Sequence, residues 1–171
     1  MKIAIHGPMC SGKTTIANTI IQLDNRYQRY SFGQKIKDIA VELFDMKNKD
    51  RSLLISIADK MRDIDADVWA KYILKTIKTD KCVIDDLRFQ NELDYLQGWK
   101  IISLTTPKNE RIKRIKKMYP DNFTDHIENM SHLSETSRLQ LPDDTFYLDT
   151  SLPHHEIKHE LYLFIEKNKY R

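Results

Sequence analysis

Lys2-Ile3-Ala4-Ile5-His6, then Gly7-Pro8-Met9-Cys10-Ser11-Gly12-Lys13-Thr14, then Thr15-Ile16-Ala17-Asn18-Thr19-Ile20-Ile21 follow one another without a break, and their reading decides the fold. The first piece is a short apolar strand. The last is an amphipathic helix, with Ile16, Ile20 and Leu23 at helical spacing. Between them stands G-x-x-x-x-G-K-T, the pattern of a phosphate-binding loop, in the strand-to-helix setting that such a loop needs. Glycines let successive N–H groups turn inward around a phosphate, and the first helical turn adds its positive dipole end. Lys13 can reach the β- and γ-phosphates of ATP, and the Thr14 hydroxyl is a natural magnesium ligand. The ATP site is therefore read as Gly7, Pro8, Met9, Cys10, Ser11, Gly12, Lys13, Thr14 and Thr15. The chain has only 4 glycines, and two of them fall in this loop, which marks a backbone requirement.

Working outward, strands continue to alternate with helices. Arg29 to Phe32, Lys81 to Asp85, Lys100 to Leu104 and Thr145 to Leu148 read as strands. Helices are expected over Lys35–Phe44, 51–64, 67–78, Asn91–Leu96, Asn109–Met118 and 153–168, with a short one near 134–139 capped by Ser131 or Ser134. A loop containing Pro120 and Pro142 surrounds that short helix. This order predicts an α/β fold, a five-stranded parallel sheet covered on both faces, with ligands at the carboxyl ends of its strands. No repeat or linker divides residues 1–171, so one domain is expected. Residues from about 33 to 79 and from about 107 to 135 read as insertions into its core.

Composition narrows the function classes. With 40% hydrophobic and 31% charged residues the chain reads as a globular domain, and its net charge of +3 is too small to announce a nucleic-acid polymer as partner. No apolar stretch reaches the length of a membrane span, and no secretory h-region follows Lys2. Cys10 and Cys82 are too few for a disulfide framework or a zinc site, so a cytoplasmic compartment is expected. The loop alone fits a GTPase, a motor ATPase or a small-molecule kinase. A guanine-reading Asn-Lys-x-Asp is missing, since Asn48-Lys49-Asp50-Arg51 and Asn168-Lys169-Tyr170-Arg171 lack the final Asp. Motor domains are larger. A kinase fits best, with the two insertions as acceptor-binding part and lid.

Four further blocks carry a resemblance. Ser31-Phe32-Gly33-Gln34-Lys35-Ile36-Lys37-Asp38-Ile39-Ala40, Ile57-Ala58-Asp59-Lys60-Met61-Arg62-Asp63-Ile64-Asp65-Ala66-Asp67-Val68-Trp69, Ile84-Asp85-Asp86-Leu87-Arg88-Phe89-Gln90-Asn91-Glu92 and His132-Leu133-Ser134-Glu135 resemble, in order and spacing, blocks of the phage- and virus-type deoxynucleoside monophosphate kinases. With the loop they run from residue 3 to about residue 135. Lys35 replaces a frequent Pro and Ala58 a frequent Gly, departures that bear on the acceptor pocket. A partly similar Asp-x-Arg block in animal phosphomevalonate kinases keeps another phosphorylated acceptor open, as does a nucleotide-binding regulator without turnover.

The resemblance implies transfer of the ATP γ-phosphoryl group to a deoxynucleoside monophosphate with magnesium as cofactor, in the host cytoplasm if the source is viral. It leaves the oligomeric state open, a homodimer included. It places Phe32, Lys37, Arg62, Trp69 and Arg88 at the acceptor, and Asp86 with Thr14 at the metal. Asp85 is left to orient a neighbour. Arg88 can fork onto the acceptor phosphate or pair with Glu92 one turn on, and Arg62 can instead pair with Asp63, Asp65 and Asp67. Phe32, Trp69 and Tyr72 could wall a base or simply be core. In the basic run Arg111, Lys113, Arg114, Lys116 and Lys117, Arg111 and Arg114 share a helix face as lid arginines over the phosphoryl group would. The catalytic set is then Lys13, Arg88, Arg111 and Arg114. His132, Ser134 and Glu135 match without an assigned role, and His154-His155 reads as an exposed loop.

Overall fold

Ile3 and Ile5 point to one side of their strand and Ala4 to the other, and all three are fully buried. A strand apolar on both faces belongs inside a covered parallel sheet. The structure, a computed structural model, describes residues 1–132, 135 and 138–169. Its elements run β1 Lys2–His6, α1 Lys13–Leu23, β2 Gln28–Tyr30, α2 Gly33–Phe44, α3 Arg51–Ile64, α4 Val68–Thr76, β3 Cys82–Leu87, α5 Gln90–Asp94, β4 Lys100–Thr105, α6 Lys108–Met118, α7 Phe123–Glu128, a 3-10 turn Asn129–Ser131, β5 Phe146–Asp149 and α8 His154–Lys167. All strand pairings are parallel, in the order β2-β3-β1-β4-β5.

Helices cover both faces. Ile16, Ile20, Leu161 and Phe164 of α1 and α8 pack on Ile3, Ile5, Val83 and Ile102. Ile36, Ala40, Ile57, Trp69 and Ile73 of α2 to α4 pack on Ala4, Ile84 and Ile101. The carboxyl ends of the adjacent strands β1 and β3 therefore lie side by side between two cores, where a doubly wound sheet binds its ligand. Among the described residues, no helix is long and apolar enough to cross a membrane.

The register between those strands has a fault with consequences. Ala4 pairs with Ile84 and His6 with Leu87, so Asp85 and Asp86 together span the place of one residue, Ile5. A bulge of this kind re-aims side chains that strict alternation would send to opposite faces. It also carries β3 two residues beyond its expected end. Asp86 then accepts from Ser31 Oγ at 2.7 Å, Phe32 N–H at 2.9 Å and Gly33 N–H at 2.8 Å. That carboxylate ends β2 at Tyr30 and starts α2 at Gly33, earlier than expected at both points.

The stretch expected as loop after Pro120 contains α7, whose His126 is buried and stacked on Tyr119 at 3.9 Å. Its six residues are too few for a periodic signal. Of the helix expected near 134–139, positions 134, 136 and 137, with the Ser134 cap, fall outside the described residues, and Arg138 and Leu139 are not helical.

Asp86→Ala strands two partly buried backbone N–H groups at the start of α2. It should cost about 1–3 kcal/mol for each donor left unpaired, read as a lower urea midpoint with an unchanged slope; an unchanged midpoint would contradict the role given to Asp86.

Candidate active site

The loop after β1 needs glycine at two places for different reasons. A Cβ on Gly7 would lie 2.9 Å from both Leu104 Cβ and Ser11 Oγ, so the loop could not pass this close to β4. Gly12 caps α1 with φ of 95°, a left-handed conformation that side chains disfavour. Lys13 folds back beneath the loop, its Nζ donating to the carbonyls of Gly7 at 2.6 Å and Pro8 at 2.8 Å. Burial, aided by the nearby Arg88, brings its pKa down to about 7.

Thr14 Oγ1 donates to Asp85 Oδ2 at 2.7 Å, and Arg29 Nε lies 3.6 Å from the same oxygen. Burial and the neighbouring Asp86 push the Asp85 carboxyl up, while Thr14 and Arg29 oppose the shift. The expectation placed Asp86 with Thr14 and left Asp85 to orient a neighbour. In the structure Asp86 bonds Ser31 and the start of α2, and the carboxylate that accepts from Thr14 is Asp85.

Two cavities open from this point. An outer one of about 470 Å³ runs over the loop from Met9 to Ile16 and on to Arg114, Tyr119, Thr150 and His154. It is the larger, and Gly12 to Ile16 at the start of α1 line it, where a helix N-terminus favours a phosphate. Arg114 is held at its rim, donating to Cys10 O at 3.3 Å, Thr150 Oγ1 at 3.3 Å and Thr150 O at 2.6 Å. Thr150 Oγ1 in turn donates to Ser11 O at 2.7 Å, so the β5–α8 connection is tied to the loop. Arg111 lines neither cavity, although it shares the helix with Arg114.

The inner cavity, about 280 Å³, lies under α2 and α3, and Phe32, Lys37, Arg62 and Arg88 all line it, drawn from three separate sequence blocks. Arg62 sits 4.3 Å over the Phe89 ring, bonds Asp59 at 3.2 Å and reaches Glu92 at 3.6 Å. Glu92 accepts the backbone N–H of Arg88 at 2.9 Å and of Phe89 at 3.1 Å. Burial lifts its carboxyl to about 7. Arg62 also leaves Asp63, Asp65 and Asp67 alone: Asp65 binds Lys71 and Asp67 binds Asn91.

Trp69 does not reach the cavity. It is 3% exposed, its Nε1 donates to Ala58 O at 3.2 Å, and it packs in the core between α3 and α4, while Tyr72 faces outward. The aromatic partner of Phe32 at the cavity is Phe89.

Glu135 and Arg51 complete the site. The Glu135 carboxylate accepts Met9 N–H at 2.7 Å and Arg51 at 2.8 Å, and pairs with Arg88. Arg51, the first residue of α3, lay outside every block given a role. The only local cue is Asp50, whose side chain caps α3 by accepting Leu53 N–H at 2.9 Å and so fixes the helix start.

The sequence profile of the AAA domain family matches residues 3–131, three quarters of the chain, and the chain belongs to that family. No curated protein sequence matches it significantly. Its structure is similar to a gluconokinase from Sinorhizobium meliloti 1021, with a TM-score of 0.62 at 14% identity over 99% of this chain and 95% of that one. It is also similar to TT1252 from Thermus thermophilus, with a TM-score of 0.62, 14% identity and coverage of 100% and 98%. A shikimate kinase from Aquifex aeolicus vf5 matches with a TM-score of 0.51, 16% identity and coverage of 99% and 98%. At such identities the likeness defines the fold, that of the P-loop kinases.

Lys13 supplies a test. At pH 8 an amine with a pKa near 7 is mostly neutral in the free protein, and a bound triphosphate favours its charged form. ATP binding should therefore take up a proton, by up to about one per site. Calorimetry at pH 8 in buffers of different ionisation enthalpy should show that uptake in the native chain and its loss in Lys13→Arg. Equal apparent enthalpies in all buffers would contradict the buried position of the amine.

Proposed function

We propose that this protein is an ATP-dependent kinase that transfers the γ-phosphoryl group to the phosphate of a deoxynucleoside monophosphate, giving the diphosphate. The observation that carries this reading is the charge of the inner cavity. Seven Lys and Arg residues line it against four Asp and Glu. Those acids already have donors: Arg62 on Asp59, Thr14 on Asp85, the α2 start on Asp86, and the Arg88 and Phe89 N–H groups on Glu92. A cavity with that excess of cations suits an acceptor that is itself an anion. Phe32 and Phe89 add apolar lining for its base.

The residues divide the work. Lys13 leaves the loop carbonyls and bridges the donor β- and γ-phosphates. Arg88 and Arg62 hold the acceptor phosphate, and Lys37 adds charge beside it. Arg114 closes the donor side, and Arg111 takes no part. The Thr14 hydroxyl and the Asp85 carboxylate, oxygen donors close together beside the loop, fit a magnesium ion and would hold it directly or through water. Such an ion would supply charge neutralisation between the β- and γ-phosphates. In the transfer an anionic acceptor oxygen provides the electron pair of the new P–O bond. The bond to the β,γ-bridging oxygen breaks, and its electron pair leaves on ADP. No proton has to move, so no general base is required, and positioning with charge neutralisation suffices.

A hydroxyl acceptor, as the names gluconokinase and shikimate kinase suggest for two neighbours, would need a base. Asp59, half exposed in the inner cavity, is the carboxylate placed for it. A coupled ADP-release assay across deoxynucleoside and ribonucleoside monophosphates, phosphomevalonate, gluconate and shikimate separates the readings. Turnover is expected with at least one deoxynucleoside monophosphate, and a drop of about 10³-fold or more in Lys13→Ala. Turnover only with a non-phosphorylated acceptor would overturn the proposal, and ATP binding without acceptor-dependent ADP release would favour a regulator.

A further inference from the structure

Five residues line both cavities: Lys13, Thr14, Lys49, Arg51 and Arg88. A phosphoryl group moving from the outer cavity to the inner one must pass among them. Lys13 and Thr14 belong to the loop, and Arg88 follows the strand that faces the acceptor. Arg51 comes from the opposite wall, at the start of α3. Its guanidinium is anchored at one end only. One terminal nitrogen donates to Glu135, while Nε is buried without a hydrogen-bond partner. A buried N–H with nothing to donate to is uncommon and costs stability, so it calls for an explanation.

Glu135 explains how that nitrogen is aimed. Its carboxylate is 2% exposed and joins three parts of the site: the Met9 N–H of the loop, Arg51 of α3 and Arg88 just beyond β3. Burial pushes the carboxyl up, but Arg88, Lys13 and Arg51 together hold it below its ordinary value, so it is an anion. Without that anion two guanidinium groups and the Lys13 amine would repel one another across the transfer point. With it, Arg51 is held at one terminal nitrogen while its Nε has no hydrogen-bond partner.

We propose that Arg51 is the arginine that contacts the phosphoryl group in flight, and that Glu135 is the positioning residue that aims Arg51 and Arg88 at opposite sides of the transfer. This rests on the kinase reading and deepens it. As the bond to the bridging oxygen of ADP breaks and the bond to the acceptor oxygen forms, negative charge spreads over the three equatorial oxygens. The Arg51 guanidinium, which lines both cavities, is the donor group that meets them. A contact made mainly in that state is read in kcat and hardly in KM.

The test combines kinetics with a transition-state mimic. Arg51→Lys should lower kcat by about 10²-fold or more and shift the KM of ATP and of the acceptor by less than about threefold. Arg88→Ala should raise the acceptor KM instead. Guanidine added to Arg51→Ala should restore part of kcat, a rescue that a purely structural arginine would not show. Fluoroaluminate should tighten the joint binding of Mg·ADP and acceptor to the native chain, and Arg51→Ala should lose that tightening while keeping its Mg·ADP affinity. Glu135→Gln, nearly the same in shape, should lower kcat by about tenfold or more through mis-aimed arginines. If the native chain shows no tightening with any acceptor, the kinase reading fails and this inference with it. If the native chain shows it and Arg51→Ala retains it, the inference alone is overturned. A normal kcat in Glu135→Gln removes the positioning role.

Discussion

Cations gathered at one end of a parallel sheet repel each other, and the rest of this site answers to that repulsion. Lys13, Arg51 and Arg88 converge on the transfer point, with Arg29, Lys37, Lys49 and Arg62 around the inner cavity. Three of the anions that offset them are bonded to more than one element. Glu135 spans loop, α3 and the residue after β3, Asp86 spans β3 and the α2 start, and Glu92 links the end of β3 to Arg62 on α3. Removing one partner from a buried charge cluster leaves an uncompensated charge, which costs far more than an exposed ion pair contributes. The carboxylates therefore fix where the helices of the inner cavity begin, as well as balancing charge.

The same constraint explains the state of Lys13. Its amine is buried against two carbonyls and close to Arg88, an environment that disfavours its charge until a phosphate arrives. The loop thus has its cation stored beneath it. A triphosphate would supply the missing counter-charge for Lys13, and an acceptor phosphate would do so for the inner cavity. Two anionic ligands entering from two sides would offset the cations that the carboxylates leave uncompensated.

Much of this could be seen in the chain itself. The loop from Gly7 to Thr14 is legible because chemistry dictates both its residue types and their spacing. The sheet is legible because Ile3 to Ile5, Val83 to Ile84 and Ile101 to Ile102 are short apolar runs between helices. Phe32, Lys37, Arg62 and Arg88 lie in blocks with a recognisable order, and the fold brings them to one cavity. Other features depend on facts that no linear pattern carries. That Asp85 bonds Thr14 while Asp86 bonds the start of α2 goes with a one-residue bulge against β1. Trp69 stands at a position that suits a base wall or a core equally well, and the packing of α4 on α3 decides for the core. Arg51 acquires its meaning only from Glu135, which is 84 residues away.

The central claim is that the two cavities hold two phosphate-bearing ligands end to end across the transfer point. A single molecule joining adenosine to a deoxynucleoside through five phosphates spans both cavities and carries both sets of charges. Its binding measured by calorimetry, beside that of ATP and of the deoxynucleoside monophosphate, tests the claim most directly. The two sites joined through one linker should bind it at least about 10²-fold more tightly than either ligand alone. Affinity no greater than that of ATP would contradict the account, because it would mean that the inner cavity does not receive an acceptor phosphate.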